Sequence, residues 1–200
     1  MSGEGNVKYS AEHKTAPAVK PAHWDELNNA RNRLHELKLI GETSGGIGYG
    51  NVSMRIKGDE FLVTGTGTGA VPVLGPDGYC MVNSFDLERN RVVSAGPVQA
   101  SSESMTHGAI YQSCPKANCV IHIHSRKIFD AMLRGKYPAT PVDAAYGTPE
   151  IARAIKKCVH EINGNEGTIV LAGHDEGVIA YGETVQGALK LILELNNKSL

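Results

Sequence analysis

The chain has 200 residues, of which 41% are hydrophobic and 20% are charged, and its formal net charge is −1 at pH 7. These values are typical of one globular domain, and they exclude the basic field that would hold nucleic acid or an anionic membrane. No apolar run approaches the roughly 20 residues that a membrane helix needs, and the start of the chain lacks the apolar core of a signal peptide. We expect residues 1–20 to be a mobile leading segment and residues 21–200 to form a single domain.

The predicted elements mix helices and strands without strict alternation. Leucine and alanine recur at helical spacing over 21–39, and NVSMRI and EFLVT follow as two strands around a turn at 57–59. Further strands are expected at YCMVN, RVVSAG, CVIHIH, TIVLAG and GVIAYG, and further helices over 102–114, 125–133, 148–163 and 183–195. The hairpin-like strand pairs favour an antiparallel or mixed sheet covered by helices.

The four cysteines show no CxxC spacing, which argues against both a disulfide framework and a zinc finger. They are Cys80, Cys114, Cys119 and Cys158. A cytoplasmic location is the simplest expectation, because thiols stay reduced there.

The stretch VIHIHS places two histidines inside an apolar strand. Residues two apart share a face of a strand, so His122 and His124 are expected to project together, while Cys119 faces away from them. Two neutral imidazoles aimed at one point suit zinc. The alternative is two separately hydrogen-bonded histidines at a strand end.

Two more side chains complete a candidate metal site. His174 ends another apolar strand, and Glu103 lies at the start of the preceding helix. Three histidines and one acid form a catalytic set with a position open for substrate. Taken singly, His174 is also consistent with a surface residue, and Glu103 with an acid that stabilises the helix dipole. His107 lies four residues after Glu103, and we interpret it as support for that helix face.

The glycine-rich loops predict an anion site rather than a dinucleotide fold. TGTGTGA contains GxGxxA after a strand, but prolines and glycines follow where a Rossmann helix should begin, and the chain has no P-loop sequence. Small polar segments at 50–53, 66–67 and 101–102 offer hydroxyls and backbone N–H groups that bind phosphate. Simple turns are the alternative for these segments.

Five segments in order, GNVSMR, FLVTGTG, SSESMTHGAIYQ, ANCVIHIHS and VLAGH…GVIAYG, resemble the class II aldolase/adducin family from about residue 27 to residue 195. The family includes fuculose-phosphate aldolase and ribulose-5-phosphate 4-epimerase. The resemblance implies an α/β fold with three α/β/α layers and a mostly antiparallel central sheet. It also implies a homotetramer whose active sites lie near subunit interfaces.

The resemblance assigns roles residue by residue. It implies a divalent metal, usually zinc with manganese or cobalt as alternatives, on His122, His124 and His174, and it matches Glu103 to the family's acid/base. The phosphate-binding positions that it implies are Asn51, Thr66, Gly67, Ser101 and Ser102.

These roles imply a zinc-dependent aldehyde-lyase of carbohydrate metabolism, which cleaves a small phosphorylated ketose through a metal-stabilised enediolate. Alternatives on the same scaffold are a sugar-phosphate 4-epimerase and a 3-oxo-acid phosphate decarboxylase, and a different class is a non-catalytic adducin-like scaffold. The chain departs from the family where Asp175 and Glu176 follow the third histidine in place of glycine. The family's tyrosine, which reaches a neighbouring site, has only Tyr137 and Tyr146 as candidates.

Overall fold

The computed structural model describes residues 7–174 and 176–199. Within them the chain forms ten strands and five α-helices. The strands are β1 (Ser10–Thr15), β2 (Gly41–Glu42), β3 (Gly48–Tyr49), β4 (Asn51–Lys57), β5 (Glu60–Thr64), β6 (Tyr79–Asp86), β7 (Arg91–Gly96), β8 (Cys119–His124), β9 (Gly167–Val170) and β10 (Gly177–Gly182). The helices are α1 (Trp24–Glu36), α2 (Ser104–Ser113), α3 (Arg126–Arg134), α4 (Pro149–Ile162) and α5 (Val185–Lys198).

Eight strands form one sheet in the order β1-β7-β6-β5-β4-β8-β10-β9, and β2 and β3 form a separate hairpin. Every neighbouring pair in the large sheet is antiparallel except β1 and β7, which run parallel. The prediction of a mostly antiparallel central sheet is confirmed.

Two hydrophobic cores lie on opposite faces of this sheet, because strand residues alternate between the faces. One core contains Val120 of β8 together with the buried residues of α2 and α4. The other contains Ile121 and Ile123 with the buried residues of α1, α3 and α5. Each fully buried leucine or isoleucine contributes about 1.5–3 kcal/mol to folding. The three-layer α/β/α arrangement therefore follows from the alternating apolar pattern, and it leaves the histidines of β8 on the face that carries α2.

The N-terminal part of the chain differs from its prediction. Ser10–Thr15 was expected in a mobile leading segment but forms the edge strand β1, in register with β7 from Ser10 opposite Arg91. Tyr9, just before it, is buried in the core. An edge strand is held by backbone hydrogen bonds to one neighbour, and the side chains of β1 are largely exposed. The segment SAEHKT therefore needs no apolar face and carries no strand pattern. The sheet thus begins before residue 21, the start predicted for the domain.

The helices agree with their predicted ranges, with shifts of a few residues at their ends. α1 begins at Trp24 rather than at residue 21, since His23 has a left-handed backbone with φ 64°. α2 begins after Glu103, which occupies its N-cap position. Within the described ranges no helix is both long and apolar enough to cross a membrane.

Candidate metal centre and active site

Three histidines from two parts of the sheet converge on one point. His122 and His124 project from the same face of β8, as predicted, and His174 lies in the short connection between β9 and β10. A tight turn sets the place of His174, because its N–H donates to the Leu171 carbonyl at 2.8 Å and its carbonyl accepts from Gly177 N–H at 2.9 Å. One ligand nitrogen from each histidine lies within 4.8 Å of the others.

All three imidazoles are withdrawn from water, with exposures of 1% for His122, 8% for His124 and 6% for His174. Burial lowers the pKa of His124 to about 3, and the neighbouring His174 acts in the same direction. Burial likewise holds the pKa of His122 well below its usual range. Both rings of β8 are therefore neutral near pH 7 and carry a lone pair that can bind a cation.

The surroundings of these rings fit a metal ion. The Nε2 atom of His122 and the Oε1 atom of Glu103 are buried without a hydrogen-bond partner in the described part of the chain. His124 Nε2 and His174 Nε2 lie 3.1 Å apart, close to the separation of about 3.3 Å expected for two nitrogens on a tetrahedral zinc. A cavity of about 20 Å³ lies among the three rings and Glu103, enough for one water-sized occupant.

Three neighbouring side chains hold the imidazoles in place. The Asn51 side-chain amide lies 3.3 Å from His122 Nδ1, since β4 pairs with β8 so that Asn51 is opposite His122. The ring of Tyr49 lies 5.4 Å from that of His124, and the ring of Tyr146 lies 4.8 Å from that of His174. The short glycine-flanked context of Tyr49 carries no periodic signal, so the sequence did not single it out.

Gly50 allows this close approach of β4 to β8. Its φ is +75°, and a Cβ added there would lie 2.7 Å from the Ile40 side chain and 3.1 Å from the His122 carbonyl. Any other residue would push the start of β4 away from His122.

Glu103 enters the cavity from the start of α2. Its carboxylate is 3% exposed, Thr106 Oγ1 donates to Oε2 at 2.8 Å, and Oε1 lies 3.9 Å from His174 Nε2. The Glu103 N–H in turn donates to Ser101 Oγ at 3.2 Å. One carboxylate oxygen is therefore anchored while the other faces the histidines.

His107, on the same helix, has a different partner from the one expected. Its Nδ1 lies 2.6 Å from Ser53 Oγ, which also lies 2.7 Å from the Tyr111 hydroxyl. Burial lowers the pKa of His107 to about 3, so this ring is neutral too. It supports the helix through β4 rather than through Glu103.

The predicted phosphate-binding residues fall into two groups. Asn51 and Ser102 line the cavity with the histidines. Thr66, Gly67 and Ser101 do not line it, but the two loops that carry them meet nearby. The Thr66 N–H donates to the Gln99 carbonyl at 2.9 Å, and Gly65 pairs with Ala100 in an isolated bridge. The loops at 66–67 and 101–102 therefore lie next to each other.

The sequence profile of the family described as Class II Aldolase and Adducin N-terminal domain matches residues 43–198. The chain belongs to the class II aldolase and adducin family. No curated protein sequence matches the chain.

Solved structures of the class II aldolase type share the fold. L-fuculose-1-phosphate aldolase from Thermus thermophilus is 22% identical, with a TM-score of 0.62 over 88% of this chain and 89% of that one. YgbL from Klebsiella pneumoniae, described with the alternatives aldolase, epimerase and decarboxylase, is 21% identical, with a TM-score of 0.65 over 88% and 85%. Another L-fuculose 1-phosphate aldolase is 18% identical, with a TM-score of 0.66 over 91% and 85%.

An outer cleft adjoins the histidine-lined cavity of this class II aldolase family member. It has a volume of about 550 Å³ and shares Tyr49 and His124 with the inner cavity. Glu176 lines the cleft, and its Oε1 lies 3.4 Å from Arg126 Nε. Asp175, the other acid inserted after the third histidine, lies outside the described residues.

The two candidates for the family tyrosine are placed differently. Tyr146 is buried against His174 and lines the inner cavity, whereas Tyr137 is 37% exposed. Tyr146 therefore contacts the histidine cluster of its own chain.

Proposed function

We propose that the protein is a metal-dependent aldolase that cleaves a small phosphorylated ketose. The observation that carries this proposal is the convergence of three buried imidazoles beside one carboxylate, with His174 Nε2 lying 3.9 Å from Glu103 Oε1. Three histidines and an open position are the donor set of a catalytic zinc site, in which the fourth place is left for substrate.

His122, His124 and His174 would hold the cation, and zinc is proposed, although the same donors accept manganese or cobalt. When bound, the cation supplies Lewis acidity that stabilises negative charge developing on a substrate oxygen. Asn51 fixes the ring of His122 from behind, and Tyr146 packs against the ring of His174. These contacts keep the rings aimed at one point before substrate arrives.

Glu103 would move the proton at the reacting carbon. In the cleavage direction, a substrate hydroxyl group gives its proton to the Glu103 carboxylate as the neighbouring carbon–carbon bond breaks, so that an aldehyde leaves and an enediolate remains. The same carboxyl group then returns this proton to the enediolate carbon. Thr106 donates to Oε2 and leaves Oε1 directed toward the histidines. Anchoring one oxygen holds the other in a defined position, as general acid–base catalysis requires.

The phosphate group is assigned to Asn51, Thr66, Gly67, Ser101 and Ser102. Support comes from the adjoining loops and from the start of α2, where backbone N–H groups favour an anion. The outer cleft of about 550 Å³ is wide enough for the half of the ketose that leaves as an aldehyde.

The family resemblance further supports a homotetramer and a cytoplasmic location, both of which we carry as proposals. The four cysteines are unpaired and buried, as expected for a reducing compartment. Light scattering on the purified full chain tests the tetramer, and a dimer or monomer at micromolar concentration would contradict it.

A substrate panel tests the reaction. Zinc-loaded full-length protein is incubated with phosphorylated ketoses of four to six carbons and with the same sugars lacking phosphate, and release of triose phosphate is followed by a coupled assay. We expect cleavage of at least one phosphorylated ketose and none of its unphosphorylated counterpart. Zinc-loaded protein that turns over no phosphorylated substrate would defeat the proposal.

The same panel separates the alternatives by their products. An epimerase yields a new stereoisomer with the carbon chain intact, and a decarboxylase releases carbon dioxide from 3-oxo-acid phosphates. A non-catalytic scaffold yields neither, and folded protein that takes up no zinc favours that alternative.

A further inference from the structure

Tyr9 reaches the phosphate loop from a part of the chain that the family profile does not cover. The matched residues begin at 43, and Tyr9 precedes β1. Its side chain is buried, with 5% exposure, and its hydroxyl lies 3.0 Å from the Ala100 carbonyl and 3.0 Å from the Ser101 carbonyl. Burial raises the pKa of this hydroxyl far above its usual range, so the hydroxyl is neutral and shares its one hydrogen between the two carbonyl oxygens.

These two carbonyls belong to the peptide units that lead into α2. A trans peptide holds its C=O and the following N–H in one plane, pointing in opposite directions, and the described residues contain no cis peptide. The Ser101 carbonyl turns toward Tyr9, so the Ser102 N–H must turn away from it. Ser102 lines the metal cavity, so the bond from Tyr9 sets the direction of a donor at the edge of that cavity.

The Ala100 carbonyl depends on Tyr9 more than the Ser101 carbonyl does. The Ser101 carbonyl also accepts from Ser104 N–H at 3.0 Å and from Ser104 Oγ at 2.7 Å. Ala100 is fully buried, and Tyr9 is the one side-chain donor to its carbonyl among the described hydrogen bonds. Without the hydroxyl this carbonyl loses its partner, and the peptides from 100 to 102 turn to relieve it.

We propose that Tyr9 is a positioning residue for phosphate binding, which acts by holding the Ala100 and Ser101 carbonyls so that the Ser102 N–H faces the bound anion. The inference rests on the proposed function, because it assumes that the loop at 101–102 receives phosphate. It assigns a role in the site to a leading segment that the sequence pattern placed outside the domain.

The test compares two buried tyrosines that lose the same atom. Tyr9→Phe removes the proposed donor, and Tyr79→Phe is the matched control, since Tyr79 is equally buried and its hydroxyl donates to Asn28 Oδ1 at 2.9 Å, away from the cavity. Binding of inorganic phosphate to the zinc-loaded full chain is measured by calorimetry, with zinc content and melting temperature recorded for each variant. We expect Tyr9→Phe to raise the phosphate Kd about five- to tenfold, the equivalent of one hydrogen bond. Zinc content should stay the same, and Tyr79→Phe should leave the Kd unchanged.

The outcomes distinguish this inference from the proposed function. Phosphate binding by the wild type with an unchanged Kd in Tyr9→Phe overturns the role of Tyr9 and leaves the phosphate site standing. No phosphate binding by the wild type overturns both. A purely structural role predicts that both phenylalanine variants lose thermal stability with no change in Kd. Should Tyr9→Phe fail to fold, the amide signal of Ser102 in the zinc-loaded wild type is followed by NMR during a phosphate titration, and phosphate binding that leaves this signal unshifted contradicts the proposal.

Discussion

The Nε2 atoms of His124 and His174 lie 3.1 Å apart although 50 positions separate the two residues in the chain. At this distance the two nitrogens cannot both present a bare lone pair to each other, so either one of them carries a proton or a cation lies between them. The buried Nε2 of His122 has no hydrogen-bond partner among the described groups, which favours the second arrangement.

The first prediction concerns metal binding. Loss of a residue that only hydrogen-bonds to a metal ligand lowers metal affinity by up to about 100-fold. His122→Ala removes a ligand itself, so it should lower zinc affinity by more than this, and activity should fall with metal content. Equilibrium dialysis followed by elemental analysis measures the bound zinc. His160→Ala is the control, since His160 is exposed on α4. Equal zinc affinity in the His122 variant and this control would remove His122 from the site.

The second prediction separates the acid from the ligands. Glu103→Gln keeps the shape of the side chain and the donor from Thr106, but it cannot transfer a proton. We expect kcat to fall about 10²–10⁴-fold while one equivalent of zinc remains, because the three histidines persist. Thr106→Val is the intermediate variant, since it removes the donor to Oε2 but keeps the Glu103 carboxylate. Its kcat should lie between that of the wild type and that of Glu103→Gln. Unchanged turnover in Glu103→Gln would show that another group moves the proton.

Much of the fold follows from local pattern. Alternation along CVIHIH predicts that His122 and His124 lie on one face of the strand and Ile121 and Ile123 on the other. The structure has this arrangement, with β8 buried on both faces and the two isoleucines in one core. The helix starting near residue 102 is equally readable from its serines. Which residues share a face of a single strand or helix can be predicted without knowing how the rest of the chain folds.

The parts that were missed depend on distant contacts. Strand β1 has no apolar pattern, because its order comes from pairing with β7. Tyr49 lies against His124 because of the hairpin β2–β3, and Tyr9 contacts the Ser101 carbonyl from the edge of the sheet. The expected pairing of His107 with Glu103 gave way to Ser53, because β4 brings a hydroxyl within 2.6 Å of the ring. A single sequence carries no signal of such pairings.

The third prediction concerns a buried arginine that holds the loop after Thr66 and Gly67. Arg31 is 1% exposed, and its guanidinium donates to the carbonyls of Thr68 at 2.8 Å and Pro72 at 3.1 Å, and also to the Val71 carbonyl. Burial lowers its pKa, but it stays charged.

Arg31→Lys cannot reproduce this planar fork of donors, so it should lower the free energy of unfolding by about 1.5–3 kcal/mol. Urea denaturation measures the change. Arg33→Lys, at an exposed position paired with Glu36 at 2.8 Å, should change stability by less than about 0.5 kcal/mol. Similar small effects from both substitutions would contradict the anchoring role of Arg31.

The last prediction is a pH dependence of stability that arises from His107. Its pKa in the folded chain is about 3, against an ordinary value of 6.5. At a pH between these two values, His107 is protonated in the unfolded chain but not in the folded chain. The contribution to stability is complete above pH 6.5 and is lost as pH falls toward 3, with a slope of up to about 1.4 kcal/mol per pH unit. His107→Asn keeps a polar atom near Ser53 but cannot titrate, so its free energy of unfolding should fall less steeply below pH 6.5.

Urea titrations between about pH 4 and pH 7 on wild type, His107→Asn and His160→Asn measure the three slopes. The exposed His160 variant should follow the wild type, and a His107→Asn slope equal to both would show that this ring does not control the acid sensitivity of the fold.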